Sequence, residues 1–134
     1  MKRYALDTNT LSYLVKENPI VTARLKVESD AGNRLTIPLM AYYEIKRGLL
    51  AVKASRKMQD FERFCDILGV GDISFEVADK AAYIHAYLQR IGRIVDDADI
   101  FIAAFCIVNN YTLVTNNVKH FENIEGLQLV NWTE

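Results

Sequence analysis

Three acidic side chains border or interrupt apolar segments of this sequence. Asp7 follows a short apolar run, Glu44 lies inside a hydrophobic helical pattern, and Asp99 precedes the apolar run that begins at Ile100. An isolated carboxylate in a core-forming segment is costly to desolvate unless a positive charge compensates it. Carboxylate oxygens suit Mg²⁺ or Mn²⁺, which take further ligands from water and phosphate. The three acids together therefore predict one site for a divalent cation.

Each acid also has a purely structural interpretation. Asp7 can begin an Asx-turn or cap the next helix, and Glu44 can pair with a neighbouring lysine or arginine at the surface. Acids in the first turn of a helix complement its dipole, and helix capping alone explains Asp96 and Asp97 without any metal. The acids in that first turn are Asp96, Asp97 and Asp99. The functional interpretation depends on the three candidate ligands meeting at one place.

The alternation of strand-like and helix-like hydrophobic periods indicates how they could meet. Strands are predicted at 3–6, 35–37, 73–75, 111–114 and 127–130. Helices are predicted after an N-cap at Thr8 or Asn9, from Pro19 to near Gly32, and over 39–52, 56–68, 76–91 and 96–109. Such alternation implies a mostly parallel sheet covered by helices on both faces. Ligands of such sheets bind outside the carboxyl ends of the strands, which is where Asp7, Glu44, Asp99 and Asn116 are expected.

Composition limits the class of protein. The chain has 134 residues, of which 51% are hydrophobic, and we expect residues 1–134 to form a single domain. The net charge of -1 provides no overall cationic field, so RNA binding would depend on local basic residues. The longest apolar stretch, residues 100–108, is too short to span a bilayer, and no signal peptide is evident. We therefore expect no membrane association and a cytoplasmic location.

Other reactive residue types show no catalytic pattern. Cys65 and Cys106 lack metal-ligand spacing and are expected to be reduced core residues. His85 is expected on a helix surface and His120 in a loop, neither as part of a catalytic pair. In the second helix, the residues expected to be buried are Ile20, Ala23, Leu25 and Val27.

Four stretches carry a family resemblance. They are Leu6-Asp7-Thr8-Asn9, residues 43–48, residues 97–104 and residues 112–117. In this order and spacing, across nearly the whole chain, they resemble the PIN-domain ribonucleases of the VapC type, the toxin half of type II toxin–antitoxin pairs. A single motif such as Asp-Thr-Asn is common, but the ordered set is specific.

The resemblance implies a three-layer α/β fold with parallel sheet order 3-2-1-4-5 flanked by helices. It also implies a homodimer that cleaves single-stranded or loop RNA with Mg²⁺ or Mn²⁺, leaving a 5′-phosphate and a 3′-hydroxyl. The sequence is most similar to VapC toxins that cut the anticodon stem-loop of initiator tRNA. A cognate VapB-like antitoxin is expected to cover the acidic edge with a short segment, through an arginine that replaces the metal.

Residue roles follow from the resemblance. Asp7, Glu44 and Asp99 are the expected catalytic metal ligands, with Glu44 binding the ion or orienting the attacking water. Many PIN domains have a fourth acid where this chain has Asn116, which could still hold a water molecule. Auxiliary residues are expected to fix the carboxylates or supply further charge. They are Thr8, Asn9, Asp96, Asp97, Thr115 and Asn116.

Basic residues near the predicted site are candidates for RNA binding. Lys46 and Arg47 lie on the same predicted helix as Glu44, and Arg93 lies near the end of another. They would offset the repulsion between the acids and phosphate and make RNA affinity dependent on salt. An ordinary solvated charged face explains the same residues equally well.

Two alternative functions follow from single positions. A phosphatase of the haloacid-dehalogenase type also has an acid at a strand end, but it needs a second Asp where this chain has Asn9. Loss of the fourth acid at Asn116 leaves open a catalytically weak or inactive module that binds RNA or antitoxin. Metal-dependent cleavage by the free protein separates this module from a ribonuclease.

Overall fold

Strands and helices alternate along the chain as the hydrophobic periods predict. The computed structural model describes residues 1–133, which contain five strands and seven helices. They are β1 (Arg3–Leu6), α1 (Thr8–Val15), α2 (Pro19–Asp30), β2 (Arg34–Pro38), α3 (Leu39–Ala51), α4 (Ser55–Leu68), β3 (Val70–Gly71), α5 (Phe75–Arg90), α6 (Asp97–Asn109), β4 (Thr112–Val114), α7 (Val118–Phe121) and β5 (Leu129–Val130).

All neighbouring strands are parallel, and their order is β3-β2-β1-β4-β5, which confirms the predicted fold class. β1 is central and pairs with β2 on one side and β4 on the other. The direction of winding therefore reverses at β1. In parallel sheets this reversal opens a crevice at the carboxyl ends of the strands, where ligands bind. Asp7 follows β1 directly at this point.

The sheet is covered by an apolar cluster on each face. Successive residues of β1 alternate between them, since Tyr4 and Leu6 belong to the smaller cluster and Ala5 to the larger. The smaller cluster includes Trp132, whose ring packs edge-on against Tyr4 with centroids 5.5 Å apart. Within the larger cluster, α6 is buried continuously from Ile102 to Cys106, as its nearly uniform apolar sequence predicts.

The third strand lies earlier than predicted. Val70 and Gly71 pair with the end of β2, whereas residues 73–75 lie outside the sheet and include Ser74, the N-cap of α5. A Cβ atom at Gly71 would lie 2.3 Å from Cζ of Phe105, so a residue with a side chain does not fit there without a shift. Close packing against Phe105 therefore favours glycine in this strand, a preference that hydrophobic periodicity does not reveal.

The start of α1 also differs from the prediction. The N-cap is Asp7, not Thr8 or Asn9, because Oδ1 of Asp7 accepts a hydrogen bond of 2.8 Å from the backbone N–H of Thr10. The carboxylate that was predicted to bind a metal thus also caps a helix.

Burial in α2 was predicted incorrectly. The helix starts with Asn18 as N-cap and Pro19 in its first turn, as expected. Its buried residues, however, are Val21 and Glu28. The residues predicted to be buried are exposed or half-buried: Ile20, Ala23, Leu25 and Val27. Leu25 packs at the edge of the smaller apolar cluster, whereas Ile20 and Val27 are more than half exposed.

Among residues 1–133, every helix is too short or too polar to span a membrane.

Candidate active site

Asp7 occupies the turn between β1 and α1. Its backbone N–H donates to the carbonyl of Val114 at 3.1 Å, which ties the end of β1 to the end of β4. The residue is only 4% exposed. Burial raises the pKa of the Asp7 carboxyl, hydrogen bonds from Thr115 and Thr10 oppose that rise, and the charge of Glu44 adds to it. The carboxylate is therefore held in an environment that disfavours its charge.

Glu44 approaches Asp7 from α3. Oγ1 of Thr8, the residue after Asp7, donates to Oε1 of Glu44 at 2.6 Å. Nη2 of Arg47 lies 3.6 Å from Oε2, so the surface pairing considered as the alternative is also present. Since Arg47 is largely exposed, this ion pair compensates the carboxylate only weakly.

Asp99 lies in the first turn of α6 and is half-buried. Its Oδ2 atom is 2.9 Å from Nε2 of His120. Burial raises the pKa of the Asp99 carboxyl, contact with His120 lowers it, and the charges of Glu44 and Asp96 raise it again. The pKa of Asp99 lies above its ordinary value, so His120 does not fully compensate the charge.

The contact with His120 overturns a prediction. His120 was expected in a loop without a catalytic partner, but it lies in the four-residue helix α7 and contacts a candidate metal ligand. Periodicity cannot reveal so short a helix, and 21 residues separate the two side chains in sequence. His85, in contrast, is exposed on α5 as predicted.

The acids meet at the predicted edge but are not arranged as a completed metal site. Thr8, the residue after Asp7, contacts Glu44, and the charge of Glu44 raises the pKa of both Asp7 and Asp99. Within residues 1–133, no group of three His, Cys, Asp or Glu side chains is positioned to hold an ion. The backbone of Thr10, the hydroxyl of Thr8 and the ring of His120 each engage one acid.

These donors fit a divalent cation in their chemistry. The ligands are oxygen atoms, as Mg²⁺ and Mn²⁺ prefer. Asp7 is buried without a lysine or arginine within 4 Å among residues 1–133. Its raised pKa has burial as its main cause. A bound cation would remove the electrostatic penalty that the protein leaves uncompensated.

The auxiliary residues divide into two groups. Thr8 donates a hydrogen bond to Glu44. Thr115 is fully buried, and its hydrogen bonding lowers the pKa of the Asp7 carboxyl. The others are exposed and show no hydrogen bond from their side chains to these acids within the described chain: Asn9, Asp96, Asp97 and Asn116. Asn116 instead donates from Nδ2 to the hydroxyl of Tyr13 at 3.0 Å. Asp96 precedes α6 as its N-cap without a side-chain capping bond.

The basic candidates differ in how freely they present their charge. Nζ of Lys46 lies 5.9 Å from the centre of the Tyr42 ring, and the guanidinium carbon of Arg47 lies 5.1 Å from that of Tyr43. Arg93 instead directs its guanidinium at the carbonyl of Lys119. Arg47 therefore lies beside Glu44 at the acidic edge, Lys46 lies against Tyr42 on the same helix, and Arg93 is engaged within the protein.

The cysteines have no place in this site. Cys106 is fully buried and Cys65 is half-buried, and both are free thiols. Burial raises the pKa of each thiol, so neither favours a reactive thiolate.

Comparison with known proteins agrees with this fold. The PIN domain family model matches residues 4–127, so the chain belongs to the PIN domain family. Among curated relatives, it is 29% identical over 130 residues to ribonuclease VapC2 of Rickettsia felis, covering 96% of this chain and 97% of that protein. It is 28% identical over 134 residues to the tRNA(fMet)-specific endonuclease VapC of Salmonella typhimurium, covering 98% and 99%. The resemblance to the VapC family is thereby confirmed.

Solved structures extend the likeness to three dimensions. The VapBC2 structure from Rickettsia felis, bound to a promoter DNA fragment, contains a chain that matches with a TM-score of 0.89 at 28% identity, covering 96% of this chain and 98% of that one. The DNA-bound VapBC structure from Salmonella typhimurium gives a TM-score of 0.88 at 28% identity, covering 98% and 99%. Both neighbours are toxin–antitoxin assemblies.

Proposed function

We propose that this protein is the endoribonuclease toxin of a type II toxin–antitoxin pair and hydrolyses RNA phosphodiester bonds. The observation that supports the proposal most directly is the hydrogen bond from Thr8, the residue after Asp7, to Glu44 at the carboxyl end of β1. Burial there raises the pKa of Asp7, and that of Asp99 is also raised. Similarity to VapC ribonucleases over nearly the full chain supports it.

Asp7, Glu44 and Asp99 would hold Mg²⁺ or Mn²⁺. When bound, the ion would activate a water molecule as nucleophile and stabilise negative charge on the phosphate. Thr8 would restrict the rotation of Glu44 through its hydrogen bond to Oε1. Lys46 and Arg47, on the same helix as Glu44, would attract the RNA backbone toward the acids.

The proposed substrate is the anticodon stem-loop of a tRNA, with initiator tRNA as the first candidate. The Salmonella relative is named for tRNA(fMet), and the chain covers 99% of its length. A loop presents unpaired, splayed nucleotides, so its backbone can enter a site at the edge of a sheet more easily than that of a duplex.

The proposed partner is a VapB-like antitoxin that seats an amphipathic segment next to Glu44. A largely apolar groove of about 250 Å³ runs there between α1 and α3, lined by Val15, Ile45, Leu49 and Val52 with Glu44 among its residues. Apolar side chains of the segment would fill the groove, and an arginine could pair with the acids in place of the metal. Structural neighbours that contain VapBC complexes support such a partner.

We also propose a homodimer, formed through the outer face of α5. Tyr83 and Tyr87 lie four residues apart on that helix and are 69% and 43% exposed. Ile91 and Ile94 continue this apolar surface beyond its end, at 47% and 94% exposed. Sedimentation of the wild type and of Ile94→Lys tests the proposal, because a dimer through this face would dissociate in the variant.

The decisive experiment compares wild-type protein with Asp99→Asn, both purified free of contaminating nuclease. Initiator tRNA and an unrelated tRNA are incubated with Mn²⁺ or with EDTA, and the RNA ends are sequenced. We expect one cut in the anticodon loop of initiator tRNA by the wild type with Mn²⁺, and none with EDTA or with the variant. Equal cutting by both proteins would show that the acids are not catalytic. RNA or antitoxin binding without any cleavage would instead establish the inactive binding module.

A further inference from the structure

Residues 115–123, which we call the support segment, follow β4 and carry a contact to Asp99. Thr115 begins the segment and opposes the rise in the pKa of Asp7 through hydrogen bonding. His120 lies in its middle and contacts Asp99. The segment is folded on itself, since the N–H of Asn117 donates to Oγ1 of Thr115 at 3.0 Å and the N–H of His120 donates to the carbonyl of Asn117 at 3.1 Å.

The ring of His120 is fixed by its neighbours. It packs edge-on against Phe121, with centroids 5.2 Å apart and planes at 84°, and Phe121 is only 2% exposed. With a proton on Nε2, His120 donates to Oδ2 of Asp99 across 2.9 Å. Oδ1 of Asp99 accepts no hydrogen bond within residues 1–133. One carboxylate oxygen is thus held, and the other is left for a ligand.

Arg93 fixes the segment that carries His120. Nη2 of Arg93 donates to the backbone carbonyl of Lys119, the residue before His120. With the amide of Asn123 oriented so that its oxygen faces Arg93, that oxygen accepts from Nη1 at 2.8 Å and from Nε at 3.2 Å. The guanidinium therefore links α7 to the residues that follow it. Arg93, which the sequence suggested as an RNA contact, is thus hydrogen-bonded to other residues of the protein.

We infer that His120 is a positioning residue for Asp99, and that Arg93 positions His120 by anchoring α7. This inference rests on the proposed function, because it gives a role to the support of a metal ligand. Mutating a hydrogen-bond partner of a metal ligand lowers metal affinity or activity by about 10- to 100-fold. Positioning requires a hydrogen-bond donor at the place of Nε2, and it does not require an imidazole.

The first test replaces His120 by Gln and by Leu. The Nε2 donor of Gln lies as many bonds from Cβ as that of His, so His120→Gln should stay within about threefold of the wild type in Mn²⁺ affinity and kcat. His120→Leu keeps the packing on Phe121 but has no donor, so Mn²⁺ affinity and kcat should fall by about 10- to 100-fold with KM for RNA unchanged. Mn²⁺ affinity is measured by titration calorimetry without RNA, and thermal unfolding verifies that each variant is folded.

The second test compares Arg93→Gln with Arg90→Gln, a matched control at the exposed end of α5. A positioning role predicts that Arg93→Gln lowers kcat and Mn²⁺ affinity by about tenfold while KM stays constant. An RNA-contact role predicts a higher KM, a weaker dependence of binding on salt and unchanged Mn²⁺ affinity. Arg90→Gln should resemble the wild type in each measurement.

The possible outcomes separate this inference from the proposed function. His120→Leu that matches the wild type in Mn²⁺ affinity and kcat would overturn the inference. So would His120→Gln as impaired as His120→Leu, because the imidazole itself would then be required. Wild-type protein that binds Mn²⁺ without cutting RNA would refute the ribonuclease, while Mn²⁺ affinities would still decide the role of His120. Wild-type protein that binds no Mn²⁺ would overturn both.

Discussion

Two buried carboxylates lie at opposite ends of the sheet, and the groups around them differ in charge. Asp7 is 4% exposed at the carboxyl end of β1, and Glu28 is 7% exposed beside the amino ends of β1 and β2. Glu28 accepts hydrogen bonds from Nε of Arg24 at 3.1 Å and from Nδ2 of Asn33 at 2.8 Å. Asp7 has no comparable cation within 4 Å among residues 1–133.

Their pKa values move in opposite directions. Burial raises the pKa of Glu28, but hydrogen bonds from Arg24 and Asn33, with the charges of Arg24 and Lys2, outweigh it and leave the pKa lowered. Burial raises the pKa of Asp7, and its hydrogen bonds do not reverse the change. Similar solvent exposure therefore accompanies opposite pKa shifts, because Arg24 lies beside Glu28 and no lysine or arginine among residues 1–133 lies within 4 Å of Asp7. The compensated end contributes stability, and the uncompensated end is suited to binding a cation.

The largest difference between the two carboxylates is expected in the rate of RNA cleavage. Asp7→Asn should lose RNA cleavage by at least about a hundredfold in kcat, since metal ligation supplies several kcal/mol to the transition state. Glu28→Gln should cleave like the wild type per folded molecule. Cleavage of a labelled RNA with Mn²⁺, at protein concentrations corrected for the folded fraction, measures both. A similar loss in both variants would show that the two ends do not differ in function.

The second prediction concerns stability at the compensated end. Glu28→Gln should lower the free energy of unfolding by about 2 kcal/mol, because it removes charge-assisted hydrogen bonds in a buried setting. Urea denaturation at pH 7 measures the change. Glu125→Gln, at an exposed acid, is the control and should lie within about 0.5 kcal/mol of the wild type. An equally small change for Glu28→Gln would remove the proposed contrast with Asp7.

The third prediction concerns stability at the uncompensated end. Without divalent cations, Asp7→Asn should raise the free energy of unfolding by about 1 kcal/mol at pH 7, because Asn still caps α1 and carries no buried charge. Since the folded pKa of Asp7 is raised, the wild type loses stability as pH rises from the unfolded pKa through the folded one. The advantage of the variant should therefore vanish below the unfolded pKa. Urea denaturation from acidic to neutral pH with chelator tests this, and a constant advantage would contradict it.

The smallest effect is expected at the rim of the acidic edge. Arg47→Gln removes the 3.6 Å ion pair with Glu44, and because Arg47 is largely exposed, the free energy of unfolding should change by less than about 0.5 kcal/mol. If Arg47 contacts one phosphate, the slope of log binding constant against log salt should become shallower by about 0.7. Filter binding of RNA to protein made inactive by Asp99→Asn measures the slope. An unchanged slope would remove Arg47 from the RNA surface.

Long, regular elements were predictable from hydrophobic period. The helix α3, predicted over 39–52, ends at Ala51, whereas β1 was predicted from its short apolar run and has the observed bounds. The buried residues of α5, which include Val77 and Leu88, recur at three- and four-residue intervals. The helices α3 and α5, with 13 and 16 residues, contain enough turns for a period to appear. In β3, with two residues, and α7, with four, no period can form, and pairing or packing with distant residues decides where they lie.

Some residues of the candidate site could be recognised from the sequence and others could not. Asp7, Glu44 and Asp99 were identifiable because each carboxylate disturbs an otherwise apolar segment. His120 and Arg93 gave no such signal, since a histidine and an arginine in polar surroundings are compatible with an ordinary surface. Their importance depends on one contact with Asp99 and one with the carbonyl of Lys119.

By itself, the sequence determined the alternating elements, the parallel sheet and the acids expected at its carboxyl edge, because periodicity and the cost of burying charge are properties of local segments. Only the tertiary structure decided that no lysine or arginine among residues 1–133 lies within 4 Å of Asp7 and that His120 contacts Asp99. Glu28, in contrast, is compensated by residues close to it in sequence, Arg24 and Asn33. Electrostatic compensation depends on distances of a few ångströms, and those distances are fixed only when the elements pack.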